Sequence, residues 1–153
     1  LAVMNVGRLV QQGAPAEVYA NPADLFVASF LGFQNLLPAY VVGDTVHTAL
    51  GAWQLPTVTA AWPGQPVDLH LLIPQDAAHL TALPAGGDAL AIAGMVQSVA
   101  FRGNFYRVAI TAPGATRLIF DLPAADLGAT PQIGDELLLH LRAEMLRLVQ
   151  GIA

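Results

Sequence analysis

The spacing of apolar and polar positions changes character once, near residue 35. Leu1 to Val6 is an apolar run of strand type, Gly7 marks a tight turn and Arg8 to Gln12 returns, so a β-hairpin is expected. Pro15 suits the first position of a helix, where a missing N–H costs nothing, and Glu17 then meets the positive end of the helix dipole. This helix is short and ends near Ala20. Asn21-Pro22 restarts the helical pattern, with Asn21 as N-cap, Pro22 as first residue and Asp24 in the first turn. Leu25, Phe26, Ser29 and Phe30 keep helical spacing, and Gly32 suits the positive φ wanted just past a helix. A hairpin and two short helices cannot bury their own apolar faces. They are expected to pack on the rest of the chain or on a second copy. Leu1 opens directly into a strand, as in a chain that starts inside a domain.

Phe33 to Pro38 reads as a linker, with Asn35 capping or turning it. From Ala39 onward short strands separated by Gly, Pro and Asp recur, the pattern of a small sandwich or barrel. Strands are expected near 39–43, 45–50, 53–57, 67–73, 90–101, 104–112, 116–122 and 136–142. Val67, Leu69, Leu71 and Ile73 share one face, as do Thr116, Leu118, Phe120 and Leu122. Pro123 to Leu127 suits one helical turn. Gly64 to Leu71 resembles Gly134 to Leu141, and each is followed by a short acidic turn and a further apolar strand, near Leu80 and Leu148. The chain therefore divides into 1–35 and 36–153, the latter made of half-modules 36–81 and 89–150 joined by the loop Ala82–Asp88.

Composition narrows the function. The 153 residues are 55% hydrophobic and 11% charged, enough for a sizeable core and unlike a disordered chain. Net charge is −5, and all six basic residues are arginine: Arg8, Arg102, Arg107, Arg117, Arg142 and Arg147. No basic stripe is present to bind nucleic acid, and without lysine there is no Walker A loop. The absence of cysteine removes disulfides and thiolate chemistry. No apolar run approaches the ~20 residues of a spanning helix.

No residue set suggests catalysis or a resident metal. His47, His70, His79 and His140 do not pair at metal-ligand spacings. His70 and His140 hold equivalent places in the repeat, on the polar face of their strands, and read as solvated. Asp135-Glu136 and Asp121 suggest paired carboxylates, but Gly134-Asp135 reads as a turn before a strand rather than as acid–base machinery. Neither Ser29 nor Ser98 lies in a nucleophile elbow. Arg102-Gly103-Asn104 is a hairpin turn flanked by Phe101, Phe105 and Tyr106, and is a candidate ligand or subunit contact. Trp53 and Trp62 flank the Pro-rich stretch 55–66 and are candidates for a contact between half-modules or protomers.

The opening stretch resembles the tail of the ATP-binding subunit of ABC importers of the sugar, polyamine and ferric-ion type. The resemblance rests on Met4, Gly7 to Gln11, Gly13, Pro15, Glu17 to Tyr19, Pro22, Phe26 to Ala28, Phe30 to Gly32 and Asn35. Ala14 departs from it, standing where the family often has a Thr cap. Residues 36–150 look like the TOBE (transport-associated OB) module of these subunits. That likeness rests on Gly94, Val96, Val99, Phe101 to Gly103, Val108, Ile110, Leu118, Phe120, Pro123 and Gly134-Asp135. The module's R-P-E turn is altered twice, at Ile73-Pro74-Gln75 and Arg142-Ala143-Glu144.

The resemblance implies a mainly β, OB-like barrel built from two half-modules and preceded by a β-hairpin and two helices. Spacing is closest to the ferric-iron-type subunits. The implied role is non-catalytic regulation and dimer contact, at the cytoplasmic side of the inner membrane. The partners would be a second copy, permease subunits and a solute-binding protein. ATP and Mg would be used by the parent subunit, whose Walker A, signature, Walker B and switch-histidine motifs are not in this sequence. The alternative is an oxyanion-binding OB-type module, as in molybdate-binding proteins, with Arg102, Arg107, Thr111 and Arg117 contributing.

Overall fold

A computed structural model describes residues 1–55, 68–81 and 90–151. Strands β1 (Ala2–Asn5) and β2 (Arg8–Gln12) form the expected hairpin, with Asn5 paired to Arg8. Its two-residue loop has positive φ at both Val6 (45°) and Gly7 (75°), the sign a type I′ turn requires. Helix α1 (Pro15–Ala20) starts at Pro15, and Ala14 before it makes no side-chain cap.

Helix α2 (Leu25–Phe30) corrects one expectation. Its N-cap is Asp24, whose Oδ1 accepts the Val27 N–H at 2.9 Å, and not Asn21. The reason lies in the hairpin. The Gln11 side chain donates to Asn21 O (2.9 Å) and accepts from Ala23 N (2.8 Å), holding 21–23 out of the helix. Gly32 follows α2 at φ +90°, while Phe33 N donates to Ala28 O at 3.1 Å. Val3, Val18 and Val27 form a small core inside this hairpin–helix unit.

The remaining strands are β3 (Leu36–Val42), β4 (Thr45–Thr48), β5 (Gly51–Gln54), β6 (Leu69–Leu72), β7 (Ala78–His79), β8 (Leu90–Phe101), β9 (Phe105–Ala112), β10 (Thr116–Pro123), β11 (Glu136–Leu141) and β12 (Arg147–Gln150). They form two five-stranded sheets, ordered β5-β4-β3-β6-β12 and β10-β9-β8-β11-β7. The two orders are the same path traced twice. Each sheet takes four consecutive strands from one half of the chain and its fifth from the other half. The weak repeat thus corresponds to a real duplication with reciprocal exchange of the last strand. The mainly β, OB-like architecture of two half-modules is observed. So is the single helical turn, at Ala124–Asp126.

One boundary differs from expectation. The segment read as a linker is already strand from Leu36. Pro38 is tolerated inside β3 because β4 pairs only with Tyr40 to Val42, so no ladder bond is lost at Pro38.

Both sheets curl over one core. Leu69, Leu71 and Ile73 meet Leu118, Phe120, Leu122, Leu139 and Leu141, all buried. Val67 lies outside the described residues. Leu72, on the opposite face of β6, is also buried because α2 covers it: Ala28 and Phe33 pack on Leu72 and Val149. Inside the second sheet, Gly94 lets Ile110 of β9 lie against the β8 backbone. A Cβ at Gly94 would stand 2.5 Å from Ile110 Cδ1. A bulge between Val96 and Ser98 then bends the long β8.

Asn35 joins the unit to the barrel. It is 1% exposed and is the buried polar residue among those described. Its Nδ2 donates to Ile73 O (3.1 Å) and Ile119 O (2.7 Å), and its Oδ1 accepts from Ile119 N at 2.7 Å. Its backbone O accepts from Ile73 N at 2.9 Å. Asn35→Ala strands several buried backbone groups and is expected to cost about 2–4 kcal/mol, read as a lower urea midpoint with unchanged m-value. Gly94→Val forces Ile110 and β9 outward and is expected to cost about 1–3 kcal/mol in the same assay.

Candidate functional site

Docking of the hairpin–helix unit leaves a cleft of about 480 Å³ at the junction, within the size range of small-molecule sites. Tyr19, at the end of α1, and Leu31, Gly32 and Gln34, after α2, form one wall. Gln75 and Asp76, in the turn after β6, form the other, with Arg107 on β9 and Asp121 on β10 at the floor. The turn is tied across the junction: Gln75 Nε2 donates to Gly32 O (3.2 Å) and Gln75 O accepts from Asp121 N (2.8 Å).

Arg107 and Asp121 are opposite one another in the β9–β10 ladder. The guanidinium donates as a fork, Nε to Oδ1 at 2.8 Å and Nη2 to Oδ2 at 2.9 Å. Its Cζ also lies 5.8 Å from the centre of the Phe105 ring. The hydrogen bond to Asp121 raises the Arg107 pKa further above its usual value, against the opposing effect of burial. Tyr19 packs on Phe33 with ring centres 4.7 Å apart. Burial raises the pKa of its hydroxyl, and the carboxylates of Asp76 and Asp121 push it the same way. The field at the hydroxyl is therefore negative. Arg107 is neutralised by Asp121, and Asp76 has no cationic partner among the described residues. The cleft suits a neutral or cationic polar guest better than an anion.

Of the candidate ligand or contact residues Arg102, Asn104, Arg107, Arg117 and Trp53, Arg107 alone reaches this cleft. Arg102 and Asn104 lie exposed in the β8–β9 turn, where Arg102 N donates to Phe105 O (2.8 Å) and Asn104 O accepts from Ala124 N (2.9 Å). Phe101 is exposed beside Tyr106, ring centres 5.1 Å apart. Arg117 is exposed on β10 opposite Thr111, four positions from Asp121, about 13 Å along the strand. The three arginines and Thr111 therefore do not converge. Trp53 is half-buried against the main core, and Trp62 lies outside the described residues.

The solvated reading of His70 and His140 is corrected: both are half-buried and each has an Nδ1 with no hydrogen-bond partner. Their strands carry them on the outer face. His70 Nδ1 is 3.4 Å from Asp68 Oδ1. His47 stacks flat on Tyr40 at 4.7 Å. No group of three or more ligating side chains occurs among the described residues. Sequence reasoning missed Tyr19, Gln75, Asp76 and Asp121 as a group, because the topology alone brings them together.

These features define a duplicated OB-like module docked on a hairpin–helix unit. The chain belongs to the TOBE-domain family, whose model matches residues 68–149. Its curated relatives are ATP-binding subunits of ABC importers. The Fe(3+) ions import ATP-binding protein of Streptomyces coelicolor is 34% identical over 138 residues, covering 88% of this chain and 35% of that protein. The spermidine/putrescine import ATP-binding protein of Acidothermus cellulolyticus is 29% identical, covering 94% and 39%. A sulfate/thiosulfate import ATP-binding protein of Chromobacterium violaceum is 31% identical, covering 100% and 42%. The chain thus spans between 35% and 42% of the length of these three relatives. Among solved structures, the cytoplasmic molybdate-binding protein ModG shares the fold, with a TM-score of 0.56 at 13% identity, covering 78% of this chain and 97% of that one.

The Arg107 and Asp121 side chains are 35% and 20% exposed, so solvent screens their pair. A double-mutant cycle with Arg107→Ala and Asp121→Ala should give a coupling of about 1 kcal/mol, reduced in 1 M salt.

Proposed function

We propose that this chain is the non-catalytic regulatory and dimer-contact part of an ABC importer ATP-binding subunit that energises solute uptake. The observation that carries the proposal is the docking itself. The segment that resembles an ATP-binding domain's tail is locked to the TOBE module through Asn35 and α2. A change in the module is thereby transmitted to that tail as a shift of a packed body. The transported solute is ferric iron by preference of spacing and relatives, with a polyamine or a sugar as the further choices; the sulfate/thiosulfate relative widens that range.

The working assembly pairs two such subunits with permease subunits and a solute-binding protein, at the cytoplasmic side of the membrane. Among the described residues no helix is long and apolar enough to cross a membrane. ATP and Mg are bound by the rest of the parent. This chain lacks the lysine that would reach the β/γ-phosphates, and no step of hydrolysis is assigned to it. Apolar side chains left exposed on the hairpin–helix unit, Leu1, Met4, Val6, Leu9 and Phe30, supply the surface for a neighbouring body.

The second reading, an oxyanion-binding module, has the fold of the molybdate-binding neighbour in its favour. The cleft opposes it, since Arg107 is engaged by Asp121 and Asp76 adds negative charge. Light scattering should show a dimer at micromolar concentration, and calorimetric titration with molybdate, tungstate and sulfate should give no heat. Monomer alone at every concentration removes the dimer-contact role; saturable heat with an oxyanion favours the second reading.

A further inference from the structure

The reciprocal strand exchange places two histidines side by side at the edge of the second sheet. β7, donated by the first half-module, pairs with β11 of the second, and in that ladder His79 lies directly opposite His140. Paired positions of an antiparallel ladder put their Cβ atoms about 4.5–5.5 Å apart on the same face. Here that face is the outer one, because the flanking Ala78, Leu139 and Leu141 point into the core. Each ring carries a buried nitrogen without a hydrogen-bond partner, Nε2 of His79 and Nδ1 of His140. The two rings do not bond to each other, so neither nitrogen is satisfied by the other.

The duplication supplies a comparison within the molecule. In the first sheet the equivalent pair is His70 opposite Val149. There Val149 replaces the second histidine and is buried beneath Ala28 and Phe33. In the second sheet nothing described covers the equivalent place. Ala91, on the other side of His140, and Ala93 and Leu138 beside it are exposed. One half-module pairs a histidine with a valine sealed by a helix; the other pairs two half-buried imidazoles with no described helix over them.

We propose that His79 and His140 form a two-histidine site for a divalent transition-metal ion of the Cu(II), Ni(II) or Zn(II) type. Neutral imidazole is a preferred ligand of these ions, at about 2.0–2.1 Å for zinc. The metal takes the lone pairs of His79 Nε2 and His140 Nδ1, the two orphan atoms, and the ring proton of each stays on its other nitrogen. With only two protein ligands the remaining positions go to water. Because β7 and β11 come from different half-modules, the ion clips the strand exchange at its shortest strand, β7 of two residues.

The test is calorimetric titration of the 153-residue chain with NiCl2, ZnCl2 and CuCl2, alongside thermal melts with and without each metal. One ion should bind per chain and raise the melting temperature. His79→Gln and His140→Gln should each weaken binding at least about tenfold and abolish the shift. His47→Gln should change neither. In Cu(II)-loaded protein, electron paramagnetic resonance should show two coordinating nitrogens, falling to one in either variant. Absence of saturable binding up to about 1 mM metal, or equal binding by wild type and both variants, overturns the site. A variant that fails to fold is replaced by His79→Asn or His140→Asn, read by the same nitrogen count.

Discussion

The architecture depends on how the free edge of β10 is closed. β10 ends the order of the second sheet, so half of its backbone groups face away from β9. An open edge of this kind is a site for unwanted pairing. Asn35 closes it with a side-chain amide that imitates a strand residue, accepting from Ile119 N and donating to Ile119 O. Two residues further along, Gln75 O accepts from Asp121 N. The backbone of Asn35 meanwhile continues the pairing of β3 with the end of β6, through Ile73 N. One buried amide thus bridges the two sheets and fixes where the hairpin–helix unit sits. A primary amide suits this role because it presents one acceptor and two donors in a plane; a carboxylate would have no donor for Ile119 O or Ile73 O.

Duplication with strand exchange explains the rest of the layout. Neither half-module completes its own five-stranded sheet. Each supplies the other's last strand, so the halves cannot separate without losing β7 and β12 from their sheets. This leaves the molecule nearly symmetric in topology and unsymmetric in surroundings. The outer face of β6 and β12 is covered by α2, which makes Leu72 and Val149 core residues. Among the described residues no helix covers the corresponding face of β11 and β7, which carries imidazoles. The junction cleft lies where α1 and α2 meet the β6–β7 turn and the β9–β10 floor, and the covering unit occurs once.

Much of this was legible in the residues. Turn glycines and alternating apolar positions place the strands within a few residues, because the core face is buried and fixes their register. The hairpin was readable from Gly7, α1 from Pro15 and the cap of β-rich structure beyond Gly32 from its change of period. The repeat was visible as Leu69-His70-Leu71 against Leu139-His140-Leu141. What could not be read were long-range partnerships. Gln11 sequesters the backbone around Asn21, so the cap of α2 moves to Asp24. Asn35, which is linker-like by its neighbours, bonds to residues 38 and 84 positions away. Arg107 stood out as a lone cation and Asp121 as a carboxylate set beside Asp135-Glu136; that the two face each other across a hairpin had no local signal.

Under the proposed function the chain acts as a relay between its TOBE module and the ATP-binding tail. A module that senses or pairs is of use to an ATPase only if it is rigidly joined to it, and in that proposal the Asn35 clamp would be the joint. Native-state hydrogen exchange at the Ile119 amide tests this most directly, because on an edge strand it is protected only through Asn35 Oδ1. The account predicts that Ile119 exchanges as slowly as the amides of β10 that face β9. Exchange of Ile119 at the rate of exposed loops, while those neighbours stay protected, would show that the joint is open in solution and contradict the account.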